Sequence, residues 1–432
     1  MKKPDYKEAL SYIYSLQKFG IKFGLSKTEN ILKAFGDPHK KKIYVHIAGT
    51  NGKGSVAVFI ASILKEAGYK VGLYTSPHLV RFTERFRING EEISKEDAAR
   101  LIFEVKEKFA PHEPPTFFEA ATAMAILYFY QQNTDIDVIE VGMGGRLDAT
   151  NVIRPVVSVI TNIALDHQQY LGSTLKDIAK EKAGIIKDRV ALITGVSQPD
   201  IVSFFKEEAK KKNAPFFRIG EHIRYRNTNG SVSYYGIKDR FKGLRLGMNG
   251  VFQARNVAIS LGAIELLRQN GFSISNQAIY RGVENAFWPG RMHVISNSPL
   301  ILLDGAHNPY AMKMLIKAVE QRYPDKRIIL VIGIMNDKDI KGILKVVVPK
   351  SDHVIYTRPA YSRAADPKTL MKAGLCFNKS GEVKFPISEA IDKAVKIATR
   401  DDLILITGSL FTVGEALSYL DPKNYAPDEI TE

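Results

Sequence analysis

The chain of 432 residues is 45% hydrophobic and 25% charged, an ordinary balance for a soluble enzyme, and its length predicts two domains. A single cysteine, Cys376, excludes an intrachain disulfide and a cysteine metal cluster, and no apolar run is long enough to span a membrane. The formal charge is +15, with only short lysine runs (Lys40–Lys42, Lys210–Lys212), and it reads first as solvated surface, second as attraction for a polyanionic small substrate, and third as nucleic-acid binding.

The start, MKKPDYKEALSYIYSL, lacks the apolar core of a signal peptide, and with the lone cysteine this predicts a cytoplasmic protein. In chain order, an apolar strand over Ile43–Ala48 runs into a glycine-rich loop and a helix from Ser55. Val71–Tyr74 reads as a second strand, Phe117–Tyr130 as a helix, and DVIEVGMGG as a third strand and its loop. VVSVITNI, a helix near Leu175–Ile186, and VALITG continue the alternation. Short apolar strands separated by amphipathic helices predict a parallel sheet covered on both faces. The segment FRIGEHIRYRNTNGSVSYYGIKDRFKGLRLGMNG alternates and carries Asn-Gly turns, predicting a small antiparallel subsheet. QARNVAISLGAIELLRQNGF returns to helix.

Trp288-Pro289-Gly290 then breaks the pattern, and LILLDGA, RIILVIGIM, HVIYTR and DLILITGS restart the strand-helix rhythm. The expectation is an α/β protein of two domains. The first, residues 1–290, is a P-loop-type parallel-sheet ATPase domain with the small subsheet. The second, residues 291–432, is a smaller Rossmann-like domain, and a ligand cleft lies between them at the carboxyl ends of the strands.

GTNGKGS, residues 49–55, has the parts of a phosphate cradle: a preceding strand, bare glycine backbone, Lys53 as a cation, and a helix N-terminus. It departs from G-x-x-x-x-G-K-[ST], because Ile47 stands where the first glycine belongs and Gly54 separates Lys53 from Ser55. A tight strand-to-helix turn with an exposed lysine is the plainer alternative.

GTNGKGS, YTSPHLVRFTERFRING, EVGMGGRLDATN, DHQQYLG, IAKEKAGIIK, PGRMH, DGAHNP and TGSLF occur in the order seen in folylpolyglutamate synthases. The chain resembles that family, relatives of the Mur ligases, from about residue 10 to residue 415. The resemblance implies an ATP-dependent ligase that joins L-glutamate to tetrahydrofolate, and also to dihydropteroate, through an acyl phosphate. It implies two Mg²⁺ sites and a monomer with small-molecule partners and neither nucleic acid nor membrane. ATP contacts would come from Gly49, Thr50, Asn51, Gly52, Lys53, Gly54, Ser55, Asn256, Arg291 and Asp304. Metal ligands would be Ser76, Glu140, His167 and Lys182, the last as a carbamate formed with CO₂; Lys53, Lys182 and His167 would be catalytic. From residue chemistry alone, His167 reads equally as a polar loop residue and Lys182 as a solvated helix lysine.

The pterin end would meet Phe23, Gly24, Leu25, Ser26, Thr116, Phe117, Phe118, Glu119, Leu147, Asp148 and Ala149, although the two phenylalanines also suit a helix core. The resemblance assigns His307 and Ser409 to L-glutamate, while DGAHN also suits a helix cap. Arg81, Arg85 and Arg87 are candidates for the carboxylates of a polyglutamate tail. Two rivals remain. A cell-wall Mur ligase acting on another carboxylate would need a UDP-binding domain of about 100 residues, yet the phosphate loop begins at residue 49. A basic, nucleotide-dependent nucleic-acid-binding protein would show steep salt dependence.

Overall fold

The computed structural model describes residues 5–20, 22–109, 113–228, 230–377 and 381–430. Its strands form three sheets. The first holds β1 (Tyr44–Ala48), β2 (Val71–Tyr74), β3 (Phe86–Ile88), β4 (Glu91–Glu92), β5 (Ile136–Glu140), β6 (Val157–Ile160), β7 (Ala191–Thr194) and β8 (Phe216–Arg218). Their spatial order is β4-β3-β2-β5-β1-β6-β7-β8, parallel from β2 to β8 with an antiparallel edge at β3 and β4. A three-stranded antiparallel sheet follows, β9 (Arg224–Thr228), β10 (Ser231–Tyr235) and β11 (Arg240–Arg245), with β10 central. Of the Asn-Gly turn at 229–230, Asn229 lies outside the described residues.

The third sheet holds β12 (His293–Asn297), β13 (Leu300–Asp304), β14 (Ile328–Ile332), β15 (His353–Tyr356), β16 (Glu382–Val383) and β17 (Leu403–Thr407). Its order is β12-β13-β17-β14-β15-β16, parallel except for β12.

Alternation along the strands divides the core. Val45 and Ile47 of β1 pack with the helices Lys53–Glu66, Gln253–Gln269 and Asn276–Asn285, whereas Tyr44 faces the opposite layer with the helix Phe117–Gln131. The third sheet repeats the device, with Leu300 and Leu302 on one face and Ile301 and Leu303 on the other. Each such aliphatic side chain contributes about 1.5–3 kcal/mol when fully buried, so the central strands hold the frame on which the loops are mounted.

Two segments differ from the sequence expectation. Phe217 and Arg218 open the segment expected to form the subsheet, yet Phe216–Arg218 pairs in parallel with β7 and closes the large sheet as β8. His293–Asn297 gave no strand signal because it is short, polar and half-exposed, the usual condition of an edge strand. The chain also returns at its end. Tyr6 Oη donates to Asp428 Oδ2 at 3.2 Å, and Phe82 N donates to the same oxygen at 2.9 Å.

Candidate active site

The register of the first sheet gathers four strand ends. Ile47 of β1 stands opposite Glu140 of β5, and Ala48 opposite Ile160 of β6, so the phosphate loop leaves the sheet between Glu140 and Thr161. The loop is tied down on the β6 side. Thr50 N donates to Asn162 O at 3.0 Å, Asn51 N to Asn162 Oδ1 at 2.8 Å, and Thr161 Oγ1 to Asn51 O at 2.7 Å. Gly49 and Gly52 take φ of 146° and 82°, and a Cβ on Gly49 would collide with Thr161 Oγ1. Gly52 caps the helix Lys53–Glu66, so the free backbone N–H groups of its first turn and the positive end of its dipole face the space above the sheet.

That space is a cleft of about 540 Å³. All ten residues assigned to ATP and all four assigned to metal line it, from Gly49–Ser55 and Asn256 on one side to Arg291 and Asp304 on the other. Lys53 Nζ lies 3.9 Å from Glu140 Oε1, and Ser76 N donates to Glu140 Oε2 at 3.3 Å. Burial raises the Glu140 carboxyl, while the Lys53 charge and the Ser76 N–H oppose the rise. Asn256 Nδ2 donates to Gln253 Oε1 at 2.8 Å, and Gln253 Nε2 reaches Ser55 Oγ at 3.4 Å, so the helix Gln253–Gln269 buttresses the loop.

Lys182 is 4% exposed. Burial, then the neighbouring Lys53 charge, push its amine down to about 7, so near neutrality a large share of it is unprotonated and nucleophilic. His167, with φ of 50°, is pushed down to about 4 by burial and by the Lys338 ammonium, and is therefore neutral at pH 7.

Asp166 beside it joins the two halves of the cleft. Its Oδ1 accepts from Lys338 Nζ at 2.8 Å, its Oδ2 from Asn308 Nδ2 at 3.0 Å, and His307 Nε2 stands 3.5 Å from Oδ2. Burial alone would raise this carboxyl, but the His307 hydrogen bond and the Lys338 ammonium hold it well below the usual carboxylate range. Asn308 Nδ2 also donates to Asn51 Oδ1 at 2.9 Å, which ties the phosphate loop to the far wall.

A Mur ligase middle domain matches residues 47–264, and a Mur ligase glutamate ligase domain matches residues 290–410. The dihydrofolate synthase/folylpolyglutamate synthase of Bacillus subtilis is 35% identical over 95% of this chain and 98% of its own. The chain belongs to that family of Mur ligases. An Escherichia coli FolC structure in complex with DHPP and ADP superposes with a TM-score of 0.88 at 32% identity, covering 96% of this chain and 98% of that one. The Yersinia pestis bifunctional folylpolyglutamate synthase/dihydrofolate synthase, complexed with AMPPNP and a Mn ion, gives 0.86 at 30% identity over 96% and 98%.

In this Mur ligase the residues expected at the pterin gather around the near end of the helix Phe117–Gln131, outside the lining of the main cleft. Gly24 N donates to Leu147 O at 3.3 Å, Phe23 meets Tyr170 edge-on at 6.3 Å, and Ser26 opens the helix Ser26–Ala34. The ring of Phe118 fills the place a Gly142 side chain would take, and Gly142 does line the cleft.

Several of these side chains already have work. Thr116 and Glu119 form a capping box, with Glu119 Oε2 accepting from Thr116 N at 2.7 Å. Asp148 accepts from Met143 N at 2.8 Å and from Thr150 N at 3.0 Å, and with Ala149 it is buried. Phe117 stacks on Tyr14 at 5.8 Å beneath the Arg85 guanidinium. Phe23, Leu25, Phe118 and Leu147 keep surface to offer.

Ser409 caps the helix Leu410–Leu420, accepting from Thr412 N at 3.0 Å, and is 1% exposed outside the cleft lining, which instead takes Leu410. His307 does line the cleft. The three arginines are engaged within the protein: Arg81 and Arg87 pair with Glu92 at 2.8 and 3.3 Å, and Arg85 Nε donates to His78 Nδ1 at 2.8 Å. Asp304 is likewise held, its two oxygens accepting from Met292 N and Ala306 N at 2.9 Å each. Burial raises its carboxyl against the Arg291 charge.

Sequence reasoning passed over Lys338, Asn162 and Thr161. The only local signal for them is position: each follows the carboxyl end of a parallel strand, β14 or β6.

Proposed function

We propose that this chain is an ATP-dependent ligase that adds L-glutamate to tetrahydrofolate, building poly-γ-glutamates, and that it also accepts dihydropteroate. The observation that carries the reading is the convergence of the phosphate loop, Glu140 and Lys182 with Arg291 and His307 in one cleft. The names of relatives matched over nearly the whole chain support the two acceptors. The chain divides near residue 290, and both walls of the cleft come from one chain, which fits a monomer.

A carboxylate must be activated before an amine can attack it. In the first step a carboxylate oxygen attacks the γ-phosphorus of ATP and ADP leaves; in the second the glutamate amine displaces phosphate from the acyl carbon. This chain's contribution is alignment and charge neutralisation. The loop N–H groups and Lys53 hold the phosphates from one side, and Arg291, whose fork matches phosphate oxygens, holds them from the other. His307 and its neighbours place the glutamate.

No group of three or more His, Cys, Asp or Glu side chains poised to hold a metal occurs among the described residues. The donors nonetheless fit magnesium, which binds through one or two carboxylates together with substrate phosphates and waters. Glu140 offers a buried carboxylate, Ser76 and Ser55 hydroxyls, and His167 a neutral imidazole. Bound Mg²⁺ would polarise the phosphoryl oxygens. Lys182, in its unprotonated form, is the amine that CO₂ would convert to a carbamate, adding an anionic donor for a second ion. The experiment is an ATP-turnover assay with L-glutamate and either tetrahydrofolate or dihydropteroate, with products weighed by mass spectrometry. An amide product one glutamate heavier is expected with each acceptor; phosphate release without such a product would overturn the reading.

A further inference from the structure

Lys338 lies on the loop after β14, in a turn fixed by Lys338 N to Met335 O at 3.2 Å and Ile340 N to Lys338 O at 2.8 Å. Its side chain is 8% exposed and reaches across to Asp166, and its ammonium also stands 3.4 Å from His167 Nε2. Among the described residues, Asp337 Oδ2, at 3.7 Å, is the other carboxylate paired with it. A lysine so deeply buried is rare unless paired.

Asp166 and His167 both line the cleft, whereas Lys338 does not: it sits behind them. Both oxygens of Asp166 are therefore bonded from the glutamate ligase domain, one by Lys338 and the other by Asn308. Asn308 continues the connection to Asn51 of the phosphate loop. These contacts exist only while the two walls are together.

We propose that Lys338 is a positioning residue that locks the glutamate ligase domain onto the phosphate-loop domain through Asp166, and that this lock keeps water from the acyl phosphate while the amine is awaited. The inference rests on the ligase reading above. Without the lock the cleft still binds nucleotide, because the loop and its β6 supports belong to one domain. It would open during the lifetime of the mixed anhydride, and water would then attack the acyl carbon or phosphorus in place of the glutamate amine. The products of that side reaction are the unchanged carboxylate and inorganic phosphate, so ATP is consumed without amide formation.

The test is the ratio of phosphate released to amide formed, measured with ATP, Mg²⁺, tetrahydrofolate and L-glutamate. The wild type gives a ratio of about one by the stoichiometry of the reaction. Lys338→Gln takes the ammonium away from the buried Asp166 carboxylate and leaves it Asn308 and His307 across the cleft, and an open-state population about tenfold larger follows. The expected result is a ratio well above one and a raised KM for glutamate, with ADP binding by calorimetry retained.

Lys338→Arg, which keeps the charge, should bring the ratio back towards one; a residue that merely filled space would give no such rescue. Should Lys338→Gln fold poorly, the isosteric Asp166→Asn removes the same ion pair from the other side and should waste ATP in the same way. Combining the two changes should be no worse than either alone. A folded Lys338→Gln or Asp166→Asn enzyme with a ratio of one overturns the lock. A wild type that makes no amide at all overturns the ligase reading instead, so the two failures are distinct.

Discussion

The two walls of the cleft are built on different plans. On the side of the first sheet, the groups are fixed by backbone and burial. The phosphate loop is pinned to Asn162, Glu140 is the last residue of a central strand, and Lys182 is closed in on its helix. On the side of the third sheet, long side chains do the reaching. Asn308, His307 and Lys338 extend to one aspartate on the opposite wall. The comparison teaches that the phosphate loop is pre-organised within one domain, whereas the far wall of the cleft meets it through side chains that reach across from the second.

The largest expected effect comes from the fixed wall. Lys53→Ala should lower kcat about 10²- to 10³-fold, the size of losing one pre-organised charge contact to a transition state, while the melting temperature changes little. A variant that turns over normally would remove the loop from the chemistry. Next, Glu140→Gln should shift the Mg²⁺ titration of activity to a much higher concentration with unaltered secondary structure by circular dichroism. An unmoved titration would assign the ion elsewhere.

Third in size is a stability effect without turnover. Lys182 is pushed down to about 7 in the folded protein, below the ordinary lysine value of about 10.4. Below pH 7 the folded chain carries a buried ammonium and bears its full cost. Between the two values only the unfolded chain holds the proton, so stability should rise with pH through that window. Urea midpoints at pH 7 and pH 9 for the wild type and Lys182→Met read this directly, and the rise should flatten in the variant. An equal rise in both would show that Lys182 does not govern it. The smallest effect is structural: Thr116→Ala removes a helix cap and should cost about 0.5–2 kcal/mol, seen in chemical denaturation.

The same division explains what the sequence made legible. GTNGKGS and Glu140 stand in contiguous stretches whose strand-loop-helix context carries the meaning. Lys338 and Asp166 are separated by 172 positions and meet only through the packing of two sheets. The capping roles of Ser409, Thr116 and Glu119 were hidden for another reason. The hydroxyl or carboxylate that would bind a substrate is also the one that caps a helix, and composition does not separate the two uses. Lys182 looked like a solvated helix lysine because burial is a property of the assembled layers. Phe217 and Arg218 run without a break into the alternating segment that follows, and only the parallel register with β7 separates β8 from that subsheet.

The pairing of Ile47 with Glu140 has an evolutionary corollary. Side chains on a strand switch faces with every residue, so gaining or losing one position within β5 would turn the acid away from the nucleotide and bring an aliphatic neighbour in its place. The parity of that strand is therefore fixed by the acid at its end.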